Sequence, residues 1–94
     1  MSSPARFHRE LLPSPIEVLQ RAGVIVRSVE RSQIICCCPF HDERRPSFAM
    51  HEQTGAYTCL ACGEAGGDQL QFYMQVNGLA FKDAARELGA WGQP

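Results

Sequence analysis

The chain reads Cys38-Pro39-Phe40-His41, then seventeen residues, then Cys59-Leu60-Ala61-Cys62-Gly63. This spacing constrains the fold more than any other feature. Zinc takes four sulfur or imidazole ligands in a tetrahedron. Two ligands with two residues between them close a tight knuckle on one metal, and a second such pair from a neighbouring hairpin completes the tetrahedron. Gly63, directly after the second pair, lets the backbone turn and swing amides toward the sulfurs. With Cys38, His41, Cys59 and Cys62 all supplied by the protein, no position is left for a catalytic water. The expected site is therefore closed and structural, holding one Zn2+. Two other readings compete with it: a pair of unrelated reduced thiol sets, or a redox disulfide at Cys59–Cys62. A redox motif of that kind would need a βαβ frame, which the surrounding pattern lacks.

Cys36 and Cys37 precede the first knuckle. Period-2 alternation places Cys36 on the face of Cys38 and Cys37 on the opposite face. Either could replace Cys38 only at a longer spacing to His41. Cys36 reads as a small core residue, and Cys37 as an exposed, oxidisable thiol. His8 and His51 have no partner at ligand spacing and read as surface histidines.

With 94 residues the chain makes one domain. A core of that size is modest and gains from a staple such as a metal. At 45% hydrophobic and 20% charged, the composition is that of a globular protein. Its apolar runs fall far short of the roughly 18 residues a membrane span needs. Residues 1–14 hold no apolar stretch of signal-peptide length, so the expected location is the cytoplasm. Thiols there stay reduced, which points the five cysteines to metal or redox chemistry rather than to disulfides.

The formal net charge of −1 gives no overall basic field. Its distribution is uneven: residues 1–48 carry seven Arg against five acids, and residues 49–94 two bases against five acids. Eight of the nine basic residues are Arg, the side chain suited to phosphate. Compositional bias would give the same count.

Residues 1–13 show no period and are expected to form a mobile arm ahead of a domain over 14–94. Ser14-Pro15-Ile16-Glu17 is a helix start, with Ser14 as cap, Pro15 at the first position and Glu17 completing a capping box. Gly23 ends that helix. Val24–Glu30 and Gln33–Cys38 predict a hairpin about Arg31-Ser32, and Ser47–His51 with Ala56–Cys59 a second one. Asp68 caps a helix over Gln69–Val76, which stops at Asn77-Gly78. Phe81, Ala84, Ala85 and Leu88 repeat with helical period in a last helix. The expected class is α+β: two hairpins in one small antiparallel sheet, a pair of zinc knuckles, and helices at both ends.

These residues resemble a known family, the N-terminal Cys-His-Cys-Cys zinc-binding domain of bacterial DnaG-type primases. The likeness runs through Cys-Pro-Phe-His at 38–41, Pro-Ser-Phe at 46–48, Tyr57, Cys59-x-x-Cys62-Gly63, Gly67-Asp68, Phe72, Met74 and the helix from Phe81. It covers about residues 15–91. It implies a zinc ribbon that helps a primase engage single-stranded template DNA and choose where primers start, with the metal on Cys38, His41, Cys59 and Cys62. The TOPRIM polymerase core and helicase-binding domain that usually follow are not found before Pro94. The resemblance therefore implies a stand-alone, non-catalytic relative that works in trans with a primase or another replication protein.

A module that binds a single strand needs cations for phosphate and aromatic faces for bases. Arg44 and Arg45 after the first knuckle, Arg27 and Arg31 near the first hairpin turn, and Tyr57 on the second hairpin are the candidates. Each has a plainer reading: a loop paired with Asp42 and Glu43, a solvated strand face, or core packing, which is the default for Phe48. With so few cations the expected affinity is weak, in the micromolar range or worse. The competing function is a zinc-stabilised protein-interaction module, docking through exposed apolar residues of the C-terminal helices, a reading that the acidic second half and Trp91 suit. No nucleophile–base pair supports an enzyme.

Overall fold

The computed structural model describes residues 5–40 and 46–92. In chain order it contains strand β1 (Arg6–Phe7), a 3-10 turn (Arg9–Leu11), helix α1 (Pro15–Arg21), strands β2 (Val26–Glu30), β3 (Gln33–Cys36), β4 (Phe48–His51), β5 (Tyr57–Cys59) and β6 (Ala65–Gly66), helices α2 (Gln69–Asn77) and α3 (Phe81–Glu87), and strand β7 (Trp91–Gly92). The α+β class is as the sequence leads one to expect.

Local chemistry accounts for the element boundaries. The Ser14 hydroxyl accepts from the Glu17 amide at 3.4 Å, and Pro15 opens α1. Asp68 accepts from the Gln71 amide at 2.8 Å to start α2, and Gly78 ends that helix in the left-handed region. Arg31 and Ser32 both carry positive φ, +51° and +66°, which gives the two-residue turn joining β2 to β3 a twist that matches its strands.

Strands β2 to β6 pair antiparallel in sequence order as a meander. Register sets two inward rows. Cys36 lies opposite Phe48, which lies opposite Cys59; Ile34 lies opposite Met50, which lies opposite Tyr57. All six are buried. Val18 and Leu19 of α1, Leu70 and Phe72 of α2, and Ala84 with Leu88 at α3 complete the same core. At its centre Phe48 and Phe72 sit 5.5 Å apart, with Tyr57 stacked on Phe48 and Phe40 edge-on to Phe72. The outward face carries Gln33, Ile35, Ala49, His51 and Thr58, all half-buried or exposed.

The structure adds two features to the expected hairpins. After the second knuckle the chain doubles back as β6, pairing Gly66 with Tyr57 and Ala65 with Thr58. A run of small residues carries no strand signal; Gly66 is there because the Tyr57 ring lies over it, and a Cβ would come to 2.5 Å from ring carbons. The stretch expected as an arm carries structure from Arg6 onward. β1 pairs with β7, 84 residues away, through Arg6–Gly92 and Phe7–Trp91. His8 is only 5% exposed, where a surface histidine was expected. Its amide donates to the Ala90 carbonyl at 2.7 Å, its Nε2 lies 2.9 Å from the Gly92 carbonyl oxygen, and its Nδ1 lies 3.3 Å from a Glu10 oxygen. Partners so distant in sequence leave no local pattern.

Candidate metal centre

Three sulfurs converge where β3 and β5 end. Cys38 follows β3, Cys59 closes β5, and Cys62 comes from the turn after it. Their Sγ atoms all lie within 4.8 Å of one another, and Cys38 and Cys62 are 3.7 Å apart. Cys38 and Cys59 are buried while Cys62 is exposed, so the cluster sits at the rim of the core with one side to solvent.

The knuckle geometry follows from the sequence around it. The Gly63 amide donates to the Cys59 carbonyl at 2.9 Å, with Gly63 at φ +79°, a conformation costly for a residue with a Cβ. That amide thus closes the turn on a carbonyl rather than on a sulfur. The Cys59 amide donates to the Glu64 carbonyl at 2.8 Å, and the Leu60 amide to the Ser47 carbonyl at 3.0 Å. These bonds hold the second pair against the entry to β4. Ser47 Oγ lies 3.7 Å from the Cys59 sulfur. On the first side, the Phe40 backbone amide bonds the Cys38 sulfur. Ser47 and Phe40 support the cluster without being singled out by ligand spacing; only their place in the Cys-Pro-Phe-His and Pro-Ser-Phe runs marks them.

Burial pushes the Cys38 thiol up to about 12; the Phe40 amide works against this, and the neighbouring Cys59 and Cys62 add to the rise. The donor set fits a borderline-soft divalent metal, and zinc above all, because thiolates are its preferred ligands. Such an ion would displace the thiol protons on binding.

Cys36 and Cys37 stand outside the three-sulfur group. Cys36 is fully buried on the inward face, its Sγ 3.7 Å from the Ile34 carbonyl oxygen, and burial pushes its thiol up to about 12 with Cys37 adding to the shift. Cys37 is half-buried rather than exposed and lines a cleft with Ile25, Pro39 and Val76.

The other candidates separate clearly. His41, Arg44 and Arg45 lie outside the described residues. Arg27 and Arg31 are exposed. Arg27 falls where the β2–β3 register slips between Val26 and Ser28, so it is the extra residue of a bulge at the sheet edge. Tyr57, expected as a base-stacking ring, is 4% exposed. Its ring stacks on Phe48 and meets Phe72 near a right angle, and its hydroxyl donates to Gln75 Oε1. A ring so enclosed offers no surface to a base. Two-residue alternation from Cys59 puts Tyr57 inside, and that outweighs its aromatic character.

A family model described as the CHC2 zinc finger, a DnaG zinc ribbon, matches residues 16–92. A DNA primase of Chlamydia trachomatis is 48% identical over 77 residues, covering 80% of this chain and 13% of that primase. The DNA primase of Streptomyces coelicolor is 34% identical over 74 residues, covering 79% of this chain and 11% of that primase. A DNA primase of Helicobacter pylori is 42% identical over 57 residues, 61% of this chain and 10% of the primase. The chain thus spans between a tenth and an eighth of the length of these relatives.

Proposed function

Because the chain belongs to the CHC2 zinc-finger family of primase zinc ribbons, we propose that it holds one structural zinc ion on Cys38, His41, Cys59 and Cys62 and engages single-stranded template DNA during priming. The observation that carries the reading is the convergence of three thiols within 4.8 Å. A fourth ligand from His41, two residues beyond Pro39 in the same knuckle, would close the tetrahedron. The ion would supply no chemistry toward a substrate. Its work would be to fix β3 and β5 relative to each other and so to fix the sheet.

On this reading the domain acts beside a polymerase rather than as one, in trans with a primase or another replication protein. Arg27 and Arg31 at the sheet edge and turn, with Arg44 and Arg45 in the segment between β3 and β4, would meet phosphates. Three thiolates and one Zn2+ leave the centre with a net charge of about −1 when the imidazole is neutral. With few cations and an anionic centre, binding would be weak and salt-sensitive. Among the described residues no helix is long and apolar enough to cross a membrane, and the reading places the domain in the cytoplasm.

Fluorescence anisotropy of labelled single-stranded DNA against zinc-loaded protein, over a salt series, tests this. Binding that falls as salt rises and vanishes on chelation is expected. No binding at low salt with zinc in place would shift the function to protein interaction. Leu60, 88% exposed on the second knuckle, favours that second reading, since an apolar side chain so bare is a natural docking point.

A further inference from the structure

The outward face of the sheet carries a shallow cavity of about 260 Å3, more apolar than polar in its lining and away from the metal centre. Gln33, His51, Thr54 and Thr58 line it together with Ala49, Ala56 and the core residue Tyr57. Gln33 is the first residue of β3 and His51 the last of β4, so the cavity lies at the opposite end of those strands from Cys36 and Phe48, which neighbour the sulfur cluster. The volume is below the roughly 300–1,000 Å3 of pockets for drug-sized ligands and suits a single planar heterocycle.

The rim has a defined polarity. His51 Nδ1 accepts the amides of Gln53 at 3.1 Å and Thr54 at 3.2 Å. A ring nitrogen that accepts carries no proton, so the proton of the neutral ring belongs on Nε2, which has no hydrogen-bond partner among the described residues. His51 therefore offers one outward donor of fixed sign. Thr54 Oγ1 accepts from the Ala56 amide at 3.3 Å, which leaves its hydroxyl proton to be donated. Thr58 and Gln33 can act either way. Among the described residues no Asp, Glu, Lys or Arg lines the cavity, so a phosphate would find no fixed counter-charge from them. A cation stands close by instead. Arg31 is exposed in the β2–β3 turn, two residues before Gln33, and that turn is tied to the β4–β5 turn by the Glu52 amide donating to the Ser32 carbonyl at 2.9 Å.

We propose that this cavity reads the edge of one unstacked base of a single strand, with His51, Thr54 and Thr58 as the specificity-determining side chains and Arg31 holding a flanking phosphate. The proposal rests on the single-strand reading above and deepens it. Two donors of fixed sign match a base edge with two acceptors. Thymine presents O2 and O4 on either side of the N3–H donor and fits with Thr58 accepting from N3; adenine, which presents an amino donor beside N1, does not. Binding base by edge and backbone by charge separates specificity from affinity.

The test uses the zinc-loaded chain, labelled dT and dA decamers, and the variants Thr58→Val and His51→Asn. Thr58→Val keeps the β-branched shape and removes only the hydroxyl. In His51→Asn the carbonyl oxygen takes over the two amides of the turn, while the outward donor is lost. Wild type is expected to prefer dT by about fivefold or more, and each variant to bring that ratio toward one by weakening dT binding. Because a variant can fail to fold, 15N-detected titration of the wild type with dT gives a second readout. Shifts at Gln33, His51 and Thr58 support the pocket; shifts confined to other surfaces overturn it. Equal affinity for dT and dA, or a preference both variants retain, also overturns the pocket and leaves the single-strand reading standing. No binding of either decamer at low salt overturns that reading, and the pocket with it. Equal shifts from thymidine monophosphate at the same concentration would make this a nucleotide site and overturn its role on a strand.

Discussion

At the scale of single residues, the sulfur cluster was the most legible part of the chain. Two-residue spacing within each knuckle is itself the geometric requirement, so Cys38, Cys59 and Cys62 could be picked out before any fold was known, and the fold brings them together. Cys36 was separable because alternation put it in the core. Tyr57 and His8 were misjudged for a shared reason: residue type suggested a surface role, while burial was decided by partners distant in sequence. The cysteine assignment leads to a sharp expectation. Cys59→Ser should lose most of its zinc by metal analysis, and His41→Ala should release zinc to a chelator much faster than wild type. Cys37→Ser should retain the full complement. Loss of zinc from Cys37→Ser would move the first ligand off Cys38. Among the cations, Arg27→Ala and Arg31→Ala should each weaken binding of single strands of any sequence. Each should also reduce the slope of log affinity against log salt by about one. An unchanged slope for both would remove the sheet edge from the binding face.

At the scale of elements, α1, the two hairpins, α2 and α3 were readable because each carries its own punctuation: a cap, a proline, a left-handed glycine, or a clean period. β6 carries none. It exists because Gly66 allows the backbone to pass beneath the Tyr57 ring, so its signal belongs to a residue nine positions earlier. Gly66→Ala should therefore destabilise the domain by about 1–3 kcal/mol, as overpacking does, although the site is on a two-residue strand where a methyl group would ordinarily be harmless. Denaturant melting of the zinc-loaded protein checks this, and a variant within a few tenths of a kcal/mol of wild type would show that the ring is free to move aside. Asp68 joins two elements: its carboxylate caps α2 and also accepts from Arg9 at 2.9 Å. Asp68→Ala should cost about 1 kcal/mol from the cap, while Arg9→Ala should cost far less, because its partner pair is solvated. Equal losses in the two variants would mean that the ion pair, not the cap, is what α2 depends on.

At the scale of the molecule, the chain is held from two places. The cysteine cluster ties β3 to β5. The β1–β7 ribbon ties the two ends of the chain together, through His8 between Ala90 and Gly92 and through an aromatic row in which Phe7 meets Phe81 and Phe81 meets Trp91 at 5.0 and 6.3 Å. The two ties should fail differently. On the proposed reading a metal held by the cluster supplies much of the folding free energy. Chelation should abolish cooperative unfolding and collapse amide protection through β3, β4, β5 and α2 together. Each tenfold excess of zinc over its dissociation constant should raise stability by about 1.4 kcal/mol. The ribbon adds burial without ligands. His8→Ala removes two part-buried side-chain hydrogen bonds, and should cost about 1–3 kcal/mol and lower Tm by several degrees. Its zinc stoichiometry should be that of wild type, and lost amide protection should begin at Phe7 and Trp91. If His8→Ala also sheds zinc, the two ties are one cooperative unit, and the ends of the chain are as much a part of the metal centre's support as Ser47 and Phe40. If instead the chelated protein keeps its protected amides, the core alone specifies the fold, and the metal's role would have to be sought in binding rather than in stability.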